Sequence, residues 1–258
     1  MSTLLKSKAW KISVIVLFSI VLTGCLAWFR AYQTYLQLNE FDKNFAIKAK
    51  DDFTLEFKNP ILFSEDFVTM SKLRASESWP LEHGRVWRYL FKKVDEQGNI
   101  LQPEISFFFD LQFNKHPHQQ LVAWTFSPLF LQIAPANFLE ASLRSIAGAD
   151  INEGAKQLRT NPESIKKIVG QLPLKDHVVA KLGAPLEIIT ETETEVYRYH
   201  FMLQTTVIEK GYEDRALNAV RLTFDLKTHE LVKMSGRFAG LKVSINYRNY
   251  QSEATEEN

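Results

Sequence analysis

A run of alternating aromatics occurs twice in this chain, and no other feature restricts its fold as much. Val86-Trp87-Arg88-Tyr89-Leu90-Phe91 and Val196-Tyr197-Arg198-Tyr199-His200-Phe201 each put rings at every second position, with an Arg between the first two. Successive side chains of a strand point to opposite faces, so each copy predicts a strand with one ring-lined face. The copies are offset by 196 − 86 = 110 residues. The same offset pairs Asp66 with Asp176, Val68 with Val178, and Leu121-Val122 with Leu231-Val232. A further slip of five residues matches Phe109-Asp110-Leu111 to Phe224-Asp225-Leu226. The pattern predicts an α+β fold of two tandem repeats, 51–150 and 151–250, each with short helices packed on an antiparallel β-sheet. An anchor segment at 1–25, an amphipathic stalk helix at 26–50 and a disordered tail at 251–258 complete the expected organisation.

The N-terminus predicts attachment to a membrane. Lys6, Lys8 and Lys11 precede an apolar run from Ile12 to Leu22, followed by Leu22-Thr23-Gly24-Cys25. Basic residues, a short apolar stretch and small residues at its end have the form of a secretory signal. Leu-Thr-Gly-Cys also resembles the bacterial lipoprotein processing box, which implies lipid attachment at Cys25, the only Cys of the chain. The other reading is an uncleaved transmembrane helix. Apolar character continues through Leu26-Ala27-Trp28-Phe29, so Ile12–Phe29 spans 18 residues, near the lower limit for crossing a bilayer. Both readings place residues 30–258 outside the cytoplasmic membrane, in the periplasm of a bacterial envelope; inner and outer membrane stay open. Phe29, Tyr32 and Leu36, with Trp28, Tyr35 and Leu38, have helical spacing, which suits a stalk, an amphipathic helix lying on the membrane or a helix packed on its own domain.

Composition removes several classes. The chain has 258 residues, is 45% hydrophobic, and balances 31 Lys and Arg against 30 Asp and Glu. That excludes wholesale disorder and gives no electrostatic case for nucleic acid. A single Cys excludes an internal disulfide.

Within the first repeat, Phe53-Leu55-Phe57 and Ile105–Phe113 alternate as strands, with Phe108 breaking the polar side of the second. Ser64 opens one short helix, and Asn137 with Glu140 opens another. In the second repeat, Asn161-Pro162 predicts a helix ending at Gly170, and Pro173 a helix ending at Gly183. Strands follow at 196–201, 219–226, 231–238 and 241–247.

Leu174-Lys175-Asp176-His177-Val178-Val179-Ala180-Lys181-Leu182-Gly183-Ala184-Pro185 is similar to the helix-and-turn signature of the small lipoprotein of the outer-membrane assembly machinery, the BamE, SmpA or OmlA-like family. Tyr197–Phe201 and Leu222–Asp225 resemble that family's strands, so the likeness covers about 162–238. The family's Gly-Met-Thr before the helix is absent; Leu172-Pro173-Leu174 stands there. The resemblance implies helix-then-sheet modules that bind proteins and do not catalyse. Two copies would resemble the β-lactamase inhibitory protein, also a binder.

No Gly-rich phosphate loop, Gly-x-Ser-x-Gly elbow or His-Glu-x-x-His occurs. His116-Pro117-His118 lacks further ligands at a metal-site spacing and suits a loop tip. No cofactor, metal or catalytic residue is therefore expected. Phe108, Trp124 and Phe130 are the candidate aromatic contacts, and Arg88 and Arg198 the candidate polar ones. The expected role is a membrane-anchored, non-catalytic binding or scaffolding module with an envelope protein partner. An envelope hydrolase with a dispersed active site and a carrier of an apolar ligand are the alternatives.

Overall fold

A computed structural model describes residues 26–252 except 116, 118, 153–156, 160–165, 206 and 239–240. The described residues start with helix α1 (26–37), a 3-10 turn (Leu38–Glu40) and the single turn α2 (Phe41–Asn44). Next come β1 (Phe45–Ala49), β2 (Phe53–Phe57), α3 (Ser64–Ser71), β3 (Glu77–Leu81), β4 (Gly84–Val94), β5 (Ser106–Asn114) and β6 (Leu121–Phe126). Helix α4 (Ala136–Ser145) and the small pair β7 (Asp150–Asn152) and β8 (Gln157–Arg159) lead to α5 (Lys175–Leu182). The chain continues with β9 (Glu187–Thr190), β10 (Thr194–Leu203), β11 (Leu217–Asp225), β12 (Leu231–Phe238) and β13 (Leu241–Asn246).

Two α+β repeats, each with its helices on its own sheet, do not form. The molecule is mostly antiparallel β, and its strands other than β7 and β8 join in one curled half-barrel. The path is β1-β2-β6-β5-β4-β10-β11-β12-β13, with β3 added to β4 and β9 to β10. The physical reason lies at the centre. The C-terminal ends of β4 and β10 pair antiparallel, Phe91 with Leu203, Lys92 with Met202, Lys93 with Phe201 and Val94 with His200. Each strand thereby satisfies the other's backbone donors and acceptors, which two separate sheets would leave open. The pairing also puts both ring sets on one face. Phe107 stacks on Phe91 at 5.0 Å and meets Phe201 across the junction at 4.9 Å. One contiguous aromatic core buries more apolar surface than two small ones.

On either side of this junction β3 and β9, β4 and β10, β5 and β11, and β6 and β12 hold matching positions. Arg88 faces Asp110 across the β4–β5 ladder, and Arg198 faces Arg221 across β10–β11. Asp110 therefore corresponds to Arg221, an offset of 221 − 110 = 111, and the five-residue slip that matched it to Asp225 is wrong. Asp225 instead ends its strand in a turn, accepting from the Lys227 and Thr228 amides at 2.8 and 2.9 Å.

The helices lie on the ring face. Phe67 of α3 meets Phe113 edge-on at 6.1 Å, Phe138 of α4 meets Tyr247 at 5.5 Å, and Val178 and Leu182 of α5 are buried. Lys93 also points to this side. Its Nζ donates to the Leu182 and Ala184 carbonyls, both at 2.6 Å, where α5 ends at Gly183 with φ +68°. Burial pushes the Lys93 ammonium below its ordinary value.

The stalk helix expected over 26–50 stops at 37. The Asn44 amide donates to the Gln37 and Glu40 carbonyls at 3.1 and 3.2 Å, closing the helical segment, and Phe45–Ala49 joins the sheet beside β2. No helix forms over 166–170, where Ile168 makes an isolated bridge to Gln251. The anchor segment 1–25, Cys25, His116, His118 and the tail beyond 252 lie outside the described residues. Among the described residues no helix is long and apolar enough to cross a membrane.

Candidate functional site: the open face of the sheet

With the rings turned toward the helices, alternation sends the intervening side chains to the opposite face. Arg88 reaches that face from β4 and Asp110 from β5. The two form a fork: Arg88 Nε donates to Asp110 Oδ1 at 2.8 Å, and Nη2 to Oδ2 at 2.7 Å. The guanidinium lies 3.8 Å from the centre of the Phe108 ring and 5.1 Å from that of Trp79. Two ring faces and a bidentate carboxylate fix its plane. Asp110 holds the Arg88 guanidinium further above its ordinary pKa. The pair remains reachable from solvent, with side chains 28% and 17% exposed. Thr125 and Thr54 extend the same row and share a hydroxyl hydrogen bond of 2.8 Å.

Arg198 occupies the matching position in the other half, with different partners. Its Nε is 2.9 Å from Glu187 Oε2, and its Nη2 donates to Glu96 Oε1 at 2.9 Å. Across the strand stands Arg221, exposed, where the first half has Asp110. The two halves thus present unlike charge patterns on a common frame. His200 follows on the same face, pushed below its ordinary value by burial and then by Arg198. Beside the junction, Gly98, Ile100, Met202, Leu203 and Gln204 line a shallow, open depression.

The candidate contacts divide. Phe108, Arg88 and Arg198 are on the open face. Trp124 and Phe130 turn to the core: Trp124 stacks on Phe126 at 5.0 Å, and Phe130 is 4% exposed among Phe107, Phe109 and Phe126. The reason is register. A bulge in the β5–β6 ladder sets Trp124 opposite Leu111, a ring-face position. Sequence reading missed Trp79, Glu96 and Glu187. Glu187 stands 110 residues after Glu77, and each faces an Arg across its ladder, so the duplication held the signal for β3 and β9. Among the described residues no group of three His, Cys, Asp or Glu is placed to hold a metal.

No family model matches the chain, and neither a curated protein nor a solved structure does. What the site can do must be read from its chemistry. A rigid guanidinium seated among rings, flanked by exposed polar residues on a pleated surface, is suited to recognition. It offers forked donors and flat apolar area and needs little ordering on contact.

Proposed function

We propose that this chain is a membrane-tethered, non-catalytic binding module of a bacterial cell envelope, and that a protein partner sits on the open face of its sheet. The observation that carries the reading is the division of one continuous sheet into a face covered by helices and a face bearing Arg88, Phe108, Asp110 and Arg198. The tether rests on the basic and apolar N-terminal sequence, through a lipid on Cys25 or an uncleaved span. The likeness of 174–185 to the assembly lipoproteins favours binding over catalysis.

Site-specific photo-crosslinking in cells tests it. A photoreactive residue at Gln112 or Arg221, both exposed on the open face, should yield a discrete protein adduct, and one at Lys181, exposed on α5, should not. Arg88→Ala should weaken capture by about tenfold or more, the loss expected for a central anchor. Adducts absent from 112 and 221, or equal at all three positions, overturn the proposal. So does turnover of an envelope component by the purified chain.

A further inference from the structure

Helix α1 is turned the wrong way for a helix meeting water. Its twelve residues, 26–37, contain one charge, Arg30. That charge points inward. Arg30 makes a forked contact with Asp66, its Nε to Oδ2 at 2.7 Å, and its guanidinium lies 4.2 Å from the Phe63 ring centre. Asp66 is 1% exposed and also accepts the Phe63 amide at 2.8 Å. Ala27 and Thr34, 1% and 9% exposed, face the same way, and the Tyr35 hydroxyl donates to the Ala149 carbonyl at 2.9 Å.

The outward side carries Phe29, Tyr32 and Leu36, at 58%, 49% and 37% exposure. These stand at i, i+3 and i+7, a single stripe. Trp28 and Leu26, 51% and 50% exposed, flank it. Single exposed apolar residues need no explanation, but five within about three turns form a patch. The helix cannot roll to hide them without tearing Arg30 from a buried carboxylate and leaving that charge unpaired.

The sequence names the occupant. Leu26 is only four residues beyond Leu22, the end of the apolar run that starts at Ile12. Under the lipid tether on Cys25 read above, on which this step rests, Leu26 directly follows the lipidated residue, so the start of α1 is held at the hydrocarbon boundary. A surface of Trp, Tyr and Phe matches the interfacial zone there, where amphipathic rings concentrate. We infer that α1 lies along the bilayer surface with Phe29, Tyr32 and Leu36 in the interface, and that the Arg30–Asp66 pair transmits this contact to the sheet and fixes its attitude to the membrane.

The test uses the full chain in vesicles of phosphatidylethanolamine and phosphatidylglycerol. A diazirine-bearing residue replaces Phe29, Tyr32 or Leu36 in turn, with Gln112 on the open sheet face as control. Lipid adducts at 29, 32 and 36 and none at 112, read by mass spectrometry, are the expected result. A chain that sediments with the vesicles but gives no lipid adduct on the stripe, or gives a cross-link there to a second protein chain, overturns this inference and leaves the tether standing. A chain that stays in the supernatant overturns the tether itself and this inference with it. As a second readout, Tyr32→Glu with Leu36→Glu should keep the chain on the vesicles while lipid-dependent protection of the 26–37 amides from hydrogen exchange is lost. Protection unchanged by that pair also overturns the inference.

Discussion

Asn218 is a polar side chain in the wrong company. It is fully buried on the ring face of β11, opposite Phe201, and neither atom of its amide meets a partner among the described residues. A buried amide without hydrogen bonds costs free energy that an apolar side chain of similar size does not. Asn218→Leu should therefore raise stability by about 1–2 kcal/mol in urea denaturation. A fall of that size would show that the amide is satisfied. Asp66 is the contrast, equally buried and fully engaged by Arg30 and the Phe63 amide. At this scale the sequence was half legible. Alternation sufficed to place Arg88 and Arg198 opposite the rings. Their partners were not readable, because the β4–β5 ladder decides that Asp110 and not a turn neighbour meets Arg88.

Helix α5 shows how an eight-residue element is held from both ends. At its start Lys175 donates to Glu195 of β10 at 2.8 Å, with both side chains largely shielded. At its end Lys93 takes up two carbonyls. The Lys175 hydrogen bond is the main cause holding Glu195 below its ordinary value of 4.5, and the Glu195 bond is the main cause raising Lys175 above 10.5. The folded-state value of Glu195 is the lower one, so its contribution is complete above about pH 4.5 and is lost as pH falls through the folded value. The contribution of Lys175 is complete below about pH 10.5 and is lost as pH rises through its raised value. Lys175→Met should cost about 0.5–1 kcal/mol at pH 7 and less at pH 3, measured by urea denaturation at both. An equal cost at the two pH values would mean that the lysine stem, not the charge pair, matters. Lys93→Met, which leaves the Leu182 and Ala184 carbonyls without their donor, should cost about 1–3 kcal/mol and speed exchange of the α5 amides. Elements with strong periodicity, such as β5 and β10, were legible. Strand β1 was absorbed into the preceding helical spacing, and β3 was masked by Pro80, which an edge strand tolerates.

The whole molecule is joined by many links. Among those between the halves are four β4–β10 residue pairs, the ring contacts of Phe107 with Phe201 and Phe138 with Tyr247, the Arg198–Glu96 pair, Arg215 donating to the Met70 and Ser71 carbonyls, and Lys93 reaching across to α5. Such sharing predicts one cooperative unfolding transition, with near-UV circular dichroism and tryptophan fluorescence coinciding in urea. Two separated transitions would mean that the halves are independent. The strand order was beyond the sequence, because hairpins fix only chain neighbours. The steps β2–β6 and β4–β10 join strands far apart in the chain. The curled sheet also has four rims, β1, β3, β9 and β13, and the longest is six residues. Short rims give a neighbouring copy little backbone to template on. Copies crowded side by side can therefore collide often without zipping into fibres.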